Sequence, residues 1–580
     1  MSPPAVPDLL RQLTSNSVEN FVASGAISPD GKYLAYTDAN GIHIQNLGTG
    51  ESQPVPQPEA LNGDQAELEV ACWFPDSTRF LINSHPPEQD PQFWNSQGAI
   101  IWLVSVLGGA PRRLRGNANA YSVSPDGSLI SFGTNKDRLG DRDIWLMGPS
   151  GEQARMLYSV DKDGSLEGFS WSRDGKRAMY LTTNDSGSNI VSRDLAGGPL
   201  TELLSPSEAA RLKTYLWLPD GRLLYSMVEE REDFGDRACN IWQMRIDVSS
   251  GKPLEESRRL TNWPGTCIDF LSAPADSNRL VFRRSAGHIT TNVADLDPSG
   301  TRLANPRHFT LTDSWDMPED WTADSKSILL ISNRSKNWGI YTQSLSDDAA
   351  TTVVSGTPGL RNPRVSPDGK WVLYLHDTNS GPNVLSSPAE VLKVPIAGGT
   401  PEVIAQARPG AKVVCAKSPF NLCAIAEPTE DGRQLILTAI DLEKGRGSEL
   451  SRFALDPSSD SWIVDLSPDG SRVAAMQSPG SPIHIFPLRG HPSQPIVLKN
   501  LRNLRSVHFL HWAAGGKGLF VSDSVRRGGV LLHVDLQGTE HVLWTNQGVR
   551  WNAGPPSPDG RHLAIMSSPW EGNMWALGKF

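Results

Sequence analysis

The chain has 580 residues and a mass of 63.2 kDa, which is more than one ordinary hydrophobic core accommodates, so several domains or one repetitive architecture are expected. Glycine (52) and proline (44) make up roughly 17% of the residues, against about 12% in average proteins, and this favours turn-rich β structure. The net charge is −10 and no segment concentrates Lys or Arg into a basic stripe, which argues against nucleic acids and anionic membranes as partners.

The amino terminus, Met1 to Thr14, has neither a charged leader region nor an apolar run, so it does not resemble a secretion signal. No window approaches 18 consecutive apolar residues. We therefore expect no membrane insertion of this chain.

The first predicted element is a strand at residues 9–14. Its segment Arg11-Gln12-Leu13-Thr14 has the pattern of the last strand of the repeat that fills the rest of the chain, but no repeat stands before it.

The repeat is a Ser-Pro-Asp-Gly turn followed by an alternating apolar strand. Five full copies stand at 28–31, 124–127, 366–369, 467–470 and 557–560, and degenerate copies lie between them. The Asp position recurs at 30, 76, 126, 174, 220, 276, 324, 368, 420, 469, 515 and 559, so there are twelve repeats of about 48 residues. Proline presets the first turn dihedral, Asp accepts a backbone hydrogen bond two residues on, and Gly tolerates a left-handed conformation. The motif therefore predicts a hairpin turn.

Each repeat continues with a second strand, a third strand such as Asn240-Ile241-Trp242, and a fourth such as Arg258-Arg259-Leu260-Thr261. Four antiparallel strands per repeat of this length are typical of a propeller blade. We predict an all-β fold of tandem β-propellers with twelve four-stranded blades, most simply six plus six: a first propeller at 1–310 and a second at 311–580. Seven plus five remains open.

The last segment, residues 572–577, reads as a third strand with nothing after it. The strand at 9–14 supplies the missing fourth strand, and such closure would remove exposed sheet edges. Two connectivities satisfy this: successive rings that exchange strands at their junction, or one ring made from both chain ends with the other inserted.

Two segments, 169–190 and 320–341, resemble the TolB-like and WD-repeat-like propeller family, whose motif is Ser-Pro-Asp-Gly, a strand and a polar loop before an Ile-Trp or Ile-Tyr strand. More narrowly, 11–44 and 557–580 resemble the propeller half of acidobacterial Ser/Thr kinase or winged-helix regulators. In those, an intracellular domain is joined through one membrane helix to the propellers. The resemblance implies an extracytoplasmic sensor part, or, if the chain is complete as given, a cytoplasmic relative.

Catalysis is not expected. There is no GxSxG nucleophile elbow, and Asp and Gly of the turn are adjacent, unlike the sialidase Asp-box. His508 and His511 are the histidine pair closest in sequence that could bind a metal ion. We favour packed or surface positions without a metal for both.

The five cysteines are scattered without CxxC spacing, so neither a disulfide framework nor a zinc site is predicted and buried free thiols are favoured. Cys415 and Cys423 flank one hairpin and could approach each other, although a disulfide between adjacent strands is strained. No metal and no cofactor are predicted.

Ligands of propellers are usually met where loops enter the innermost strands. Polar residues shortly before each turn are the candidates for binding: Asn119, Asp316, Asn362, Arg505, Arg550 and Asn552. The alternative is that they only satisfy loop backbone groups.

The predicted function is recognition of a protein, peptide or small-molecule ligand, as the sensing part of a bacterial signalling regulator. A scaffold that joins protein partners is one alternative, and a hydrolase or lyase with a site built across blades is another. Nothing in the sequence specifies the oligomeric state.

Overall fold

The computed structural model of the protein describes residues 10–61, 66–86, 95–137, 139–161, 164–184, 187–229, 239–263, 266–287, 289–310, 314–335, 338–356, 359–377, 388–454, 461–478, 482–488, 496–498, 507–525, 528–547 and 549–578. Contacts between Cα atoms divide the chain into two compact units. Unit 1 comprises Met1–Glu230, Asp236–Ala286 and Glu571–Phe580, and unit 2 contains Gly287–Trp570.

Unit 1 begins with β1 (Leu10–Gln12) and a 3₁₀ helix (Val18–Asn20). Five four-stranded antiparallel sheets follow, each made of consecutive strands. Their bounds are β2 (Ser24–Ile27), β3 (Tyr33–Asp38), β4 (Gly41–Asn46), β5 (Ser52–Pro54); β6 (Glu67–Trp73), β7 (Arg79–His85), β8 (Ile100–Ser105), β9 (Arg112–Gly116); β10 (Asn119–Val123), β11 (Ile130–Asp137), β12 (Gly140–Met147), β13 (Arg155–Ser159); β14 (Gly164–Trp171), β15 (Arg177–Asn184), β16 (Gly187–Asp194), β17 (Thr201–Glu202); β18 (Leu212–Trp217), β19 (Arg222–Val228), β20 (Cys239–Arg245), β21 (Arg258–Arg259). A second 3₁₀ helix (Glu59–Leu61) and α1 (Pro206–Ala209) lie in loops, and β22 (Cys267–Ser272) and β23 (Arg279–Gly287) end this run.

Unit 2 starts with β24 (Thr290–Leu296) and β25 (Leu303–His308), and again five sheets of consecutive strands follow. Their bounds are β26 (Asp316–Trp321), β27 (Ser327–Ser332), β28 (Gly339–Ser344), β29 (Ala350–Ser355); β30 (Leu360–Val365), β31 (Trp371–Asp377), β32 (Ala389–Pro395), β33 (Glu402–Ala407); β34 (Lys412–Cys415), β35 (Cys423–Pro428), β36 (Gln434–Asp441), β37 (Gly445–Ala454); β38 (Ser461–Leu466), β39 (Arg472–Ser478), β40 (Ile483–Pro487), β41 (Ile496–Leu498); β42 (Val507–Trp512), β43 (Gly518–Val525), β44 (Gly528–Asp535), β45 (Glu540–Gln547). The chain ends with β46 (Val549–Ala553) and the long β47 (His562–Gly578). None of the helices in the described residues has the length and apolar character needed to cross a membrane.

Strand β47 completes the sixth sheet of each unit. Its first part pairs with β46 and β24, with Asn292 opposite Ile565, and its last part pairs with β1, with Leu10 opposite Leu577. The closure by the N-terminal strand is therefore confirmed. The division between units lies after Ala286 rather than at residue 310, because β24 pairs with β47 from the end of the chain and not with the preceding strand β23, and β25 pairs with β24.

The first strands of neighbouring sheets contact one another within each unit. In unit 1 they run from β2 through β6, β10, β14 and β18 to β22, which contacts β2 again. In unit 2 the corresponding strands are β26, β30, β34, β38, β42 and β46, and the Trp321 indole donates a hydrogen bond of 2.8 Å to the Pro555 carbonyl of the sixth sheet. The result is a nearly all-β protein whose four-stranded sheets are arranged as tandem propeller blades.

The Ser-Pro-Asp-Gly motif forms the predicted turn between the first and second strands. In the first copy, Asp30 accepts hydrogen bonds from the Ser28 hydroxyl (2.6 Å) and the Lys32 N–H (3.1 Å), and the Tyr33 N–H donates to the Ser28 hydroxyl (2.9 Å). Gly31 has φ +72°, the left-handed conformation that favours glycine. The role of the motif is structural.

Tryptophans that precede the turn pack between sheets, as their repeated positions predict. Trp73, Trp321 and Trp512 are 7%, 1% and 3% exposed. Trp73 and Trp512 each donate an indole hydrogen bond to a backbone carbonyl of the preceding sheet, at Ala26 (2.9 Å) and Asp465 (3.1 Å). These side chains join neighbouring blades and are not exposed stacking platforms.

The prediction of buried free thiols is wrong for four of the five cysteines. Cys239 is bonded to Cys267 and Cys415 to Cys423, and Cys72 is the free cysteine. Cys415 and Cys423 stand directly opposite each other in the β34–β35 pair. Cys239 and Cys267 are 28 residues apart, and they meet because consecutive sheets pack against each other, which spacing along the chain does not reveal.

Candidate functional site

The candidate site lies in unit 2, where four first strands place ionisable side chains at one equivalent position. After each of these four first strands, one backbone N–H donates a hydrogen bond across the turn to a carbonyl five residues later. These N–H groups belong to Thr322, Ser366, Ser467 and Ala513. Two residues before these positions stand Asp320, Arg364, Asp465 and His511. Because equivalent positions of a propeller recur around its axis, the four side chains converge.

These side chains line one cavity with an empty volume of about 450 Å³, part of which is open solvent. Glu319 and Lys417 complete a charged wall. Much of the remaining lining is apolar and includes Leu466, Pro468, Trp512, Ala514, Pro555 and Pro558. The cavity therefore combines a charged part and an apolar part.

Asp320 is an ionised carboxylate that joins two sheets. Its Oδ1 accepts hydrogen bonds from the Lys417 Nζ (2.5 Å) and from the Trp321 N–H (2.8 Å), and its Oδ2 accepts one from the Val365 N–H (3.0 Å). The residue is 2% exposed. Burial opposes its charge, but the positive charges of Lys417 and Arg364 more than offset this and lower its pKa.

Arg364 is held through one of its terminal nitrogens. Nη1 donates to the Glu319 carbonyl (3.0 Å), to Glu319 Oε2 (3.1 Å) and to the Pro363 carbonyl (2.9 Å). Nε and Nη2 donate to no acceptor among the described residues, although the side chain is only 12% exposed. The guanidinium thus retains N–H groups that a ligand can accept.

Asp465 is a carboxylate whose charge is less well compensated than that of Asp320. Its oxygens accept hydrogen bonds from the N–H groups of Leu466 (3.0 Å) and Trp512 (2.9 Å), and no Lys or Arg of the described chain pairs with it. Burial raises the pKa of Asp465 to about 6, although Arg364 and Lys417 act in the opposite direction. At neutral pH the group is an anion to which no Lys or Arg among the described residues is paired.

His511 is neutral and does not supply that partner. Its Nδ1 lies 3.9 Å from Asp465 Oδ2, beyond hydrogen-bond distance. Burial, followed by the positive charge of Arg364, lowers the pKa of His511 to about 3. Within the residues that the structure describes, no three His, Cys, Asp or Glu side chains are grouped closely enough to hold a metal ion.

Three of the predicted binding residues have structural partners or buried positions outside this cavity. Asn119 begins β10 of unit 1, is 8% exposed, and its Oδ1 accepts no hydrogen bond from the described residues. Asp316 begins β26, is fully buried and pairs with Arg334 at 2.7 Å. Asn362 in β30 has φ +53° and its Oδ1 accepts a hydrogen bond of 2.5 Å from the Val413 N–H of the next sheet.

The other three predicted residues cannot be placed in the same way. Arg505 lies outside the described residues. Arg550 and Asn552 belong to β46, and Asn552 stands opposite Ser567 of β47, but their side chains lie outside the described part of the chain. A binding role for the six residues stays a prediction.

The four converging residues were not among the predicted ones, although the sequence carries a signal for them. In unit 1 the residues two positions before the same turn point are Ala26, Cys72, Ser122, Ser170 and Leu216. None of these is Asp, Glu, Lys, Arg or His, whereas unit 2 has Asp320, Arg364, Asp465 and His511 at this position in four of its first strands. Aligning the repeats and comparing this one position between the two halves would have found them.

No protein-family model and no curated protein matches the chain. Among solved structures, it is similar to a TolB protein of Agrobacterium tumefaciens, with 18% identity over 42% of this chain and 81% of that chain and a TM-score of 0.32. It is also similar to the tricorn protease, with 11% identity over 94% of this chain and 60% of that one and a TM-score of 0.32. The GH74 enzyme of Niastella koreensis has 10% identity over 99% of both chains and a TM-score of 0.36. At these identities the comparisons assign no activity, and the fold rests on the strand pairing described above.

Proposed function

We propose that the chain is a non-catalytic binding protein and that the cavity of unit 2 recognises a small polar ligand. The observation that carries the proposal is the convergence of Asp320, Arg364, Asp465 and His511 from four sheets on one cavity. Buried charges that serve only structure are normally paired and hydrogen-bonded. Among the described residues, Arg364 retains unused donors and Asp465 has no Lys or Arg partner, and perturbed groups of this kind in a cavity are typical of binding sites.

The lining of the cavity favours a small molecule over a protein surface. A few polar groups beside apolar residues, as found here, are typical of small-molecule sites. Of the three partner classes that the sequence left open, the small molecule therefore fits this cavity best.

A sensing role outside the cytoplasm is part of the proposal. The pairs Cys239–Cys267 and Cys415–Cys423 support it, because disulfides persist mainly in oxidising compartments. Thiol titration of the unfolded, non-reduced protein from its native host should give one thiol per chain, from Cys72. Five thiols per chain would contradict this compartment.

The binding proposal is tested by a thermal-shift screen of small polar compounds on the full chain. A ligand at a hundredfold excess over its Kd stabilises the folded state by about 2.7 kcal/mol, so a true binder raises the Tm. The shift should be lost in Arg364→Gln and kept in Arg283→Gln, which removes an arginine paired with Asp269 at 2.7 Å in unit 1. Compounds that stabilise wild type and Arg364→Gln equally would overturn the proposed site.

A second candidate function is favoured by the pKa of Asp465. A carboxyl with a pKa of about 6 beside a neutral histidine is suited to proton transfer near neutral pH. NMR spectra of a bound compound over several hours distinguish the two functions. Unchanged spectra support binding alone, and conversion that stops in Asp465→Asn would establish a hydrolase or lyase built across blades.

A further inference from the structure

Arg364 and Asp465 carry opposite charges, line the same cavity and do not form an ion pair. Each is fixed by its own sheet: the guanidinium by three hydrogen bonds from Nη1, the carboxylate by two backbone N–H groups. They stand on β30 and β38, which are separated by the sheet that begins with β34. The two strands therefore present complementary charges to one cavity without pairing them.

A ligand that binds both side chains in this cavity needs a negative group for Arg364 and a positive group for Asp465. The unused Nε and Nη2 of Arg364 form an edge of the guanidinium that suits a carboxylate, which such an edge binds through two parallel hydrogen bonds. Asp465 offers oxygen acceptors and a negative charge, which suit an ammonium group. The ligand is therefore a zwitterion.

The remaining part of the cavity is apolar. Pro468, Ala514, Pro555 and Pro558 contribute to this part of the lining. An apolar side chain buried there gains free energy in proportion to the area removed from water. Both charges and the apolar group must lie within one small cavity.

We propose that the ligand of this cavity is a free α-amino acid with an apolar side chain, with its carboxylate on Arg364 and its ammonium group on Asp465. This inference rests on the proposed function and names its ligand class. A peptide carries its ammonium and carboxylate at opposite ends, so only the free amino acid presents both on one carbon atom.

Calorimetric titration of wild type tests the ligand without any substitution. L-Leucine, valine, methionine and phenylalanine are the probes, and leucinamide, N-acetyl-leucine and glycine are the matched controls. Leucinamide lacks the carboxylate and N-acetyl-leucine lacks the ammonium group. Since hydrogen bonds to charged groups are worth about 1.5–3 kcal/mol, each should bind at least about tenfold more weakly than leucine. Glycine should also be weaker, because it lacks the apolar side chain.

Two variants assign each charge of the ligand to its residue. Arg364→Gln should weaken leucine at least about tenfold but change leucinamide little, because the carboxylate is the group it no longer binds. Asp465→Asn should weaken leucine similarly and change N-acetyl-leucine little. Arg283→Gln of unit 1 is the control and should bind leucine as wild type does.

Each other outcome overturns the inference in a recognisable way. Equal affinity for leucine, leucinamide and N-acetyl-leucine excludes the zwitterion. If apolar amino acids do not bind but another polar compound binds in a way that depends on Arg364, amino acids are excluded as the ligand and the proposed binding function stands. If neither the amino acids nor the screened compounds bind, both proposals fall.

Discussion

The burial of Asp465 has a consequence for the pH dependence of stability. Its pKa of about 6 in the folded state lies above the ordinary value of 3.8, so the folded protein binds this proton more tightly than the unfolded chain does. The contribution of this group to the free energy of unfolding is fully present below about pH 4 and is lost as the pH rises through about 6. The difference between the two pKa values corresponds to a loss of up to about 3 kcal/mol in that free energy.

Asp465→Asn should therefore gain stability relative to wild type between pH 4 and pH 7. Urea unfolding of both proteins at the two pH values measures the difference, and carboxyls that titrate elsewhere affect both proteins alike. The charged groups near Asp465 are Arg364, Lys417 and Asp320, and His511 stays neutral over this range. A stability difference between the two proteins that does not change with pH would contradict the raised pKa.

The opposite case is Asp320, because its buried negative charge is compensated by Lys417. Lys417→Met leaves the Asp320 carboxylate buried without its cation and should cost about 2 kcal/mol or more. The double variant Asp320→Asn with Lys417→Met should recover part of this loss. Lys370→Met is the control, because Lys370 is 76% exposed and pairs with Asp368 at 3.9 Å. Equal losses for both lysine variants would show that the buried pair has no special role.

At the scale of one turn, Ser77 replaces the usual glycine and has φ +58°. Its hydroxyl accepts a hydrogen bond of 3.0 Å from the Asp30 N–H in the turn of the neighbouring sheet. A side chain at this φ lowers the free energy of unfolding by roughly 1 kcal/mol or more, and the hydrogen bond raises it by about the same amount. The serine therefore exchanges local strain for a link between blades.

Two substitutions separate these contributions. Ser77→Ala keeps the strain and loses the hydrogen bond, so it should be less stable by about 1 kcal/mol. Ser77→Gly loses both and should stay near wild type. Thermal unfolding ranks the three proteins, and a glycine variant as unstable as the alanine variant would mean that no strain is relieved.

At the scale of the whole chain, β1 closes the sixth sheet of unit 1. Leu10 to Gln12 pair with Trp575 to Leu577 of β47, and the Thr14 hydroxyl donates a hydrogen bond of 2.9 Å to Asn573. Deleting residues 1–14 exposes the edge of β47, and an exposed strand edge both loses hydrogen bonds and favours aggregation. Amide hydrogen exchange at 573–577 should become faster, while exchange at 360–365 in β30 of unit 2 serves as the reference. Unchanged exchange at 573–577 would exclude the closing role of β1.

Much of the fold was predictable because its determinants are local. The Ser28–Gly31 turn needs only the chemistry of its own four residues, and the repeat of this turn gives the number of blades. The closing strand was predictable from what each chain end lacks. The Cys239–Cys267 bond was not, because it joins residues of different sheets that become neighbours only when blades stack.

For the same reason, the cavity could not be predicted from any single repeat. Asp320 and Val365, which share a hydrogen bond, are 45 residues apart, and nothing local in either strand marks the contact. The expectation that ligands meet the loops entering the innermost strands favoured residues early in the first strands, such as Asp316 and Asn362. The cavity uses the ends of those strands, where only a comparison of equivalent positions in the two units separates charged from uncharged residues.

The most direct measurement is a crystal structure of the full chain with the compound that raises its Tm most. We predict electron density for that compound in the cavity of unit 2, with one polar group on Nε and Nη2 of Arg364 and another on the Asp465 carboxylate. Density only at Asn119, at Asn362 or elsewhere, with no compound on Arg364 and Asp465, would rule out the proposed site.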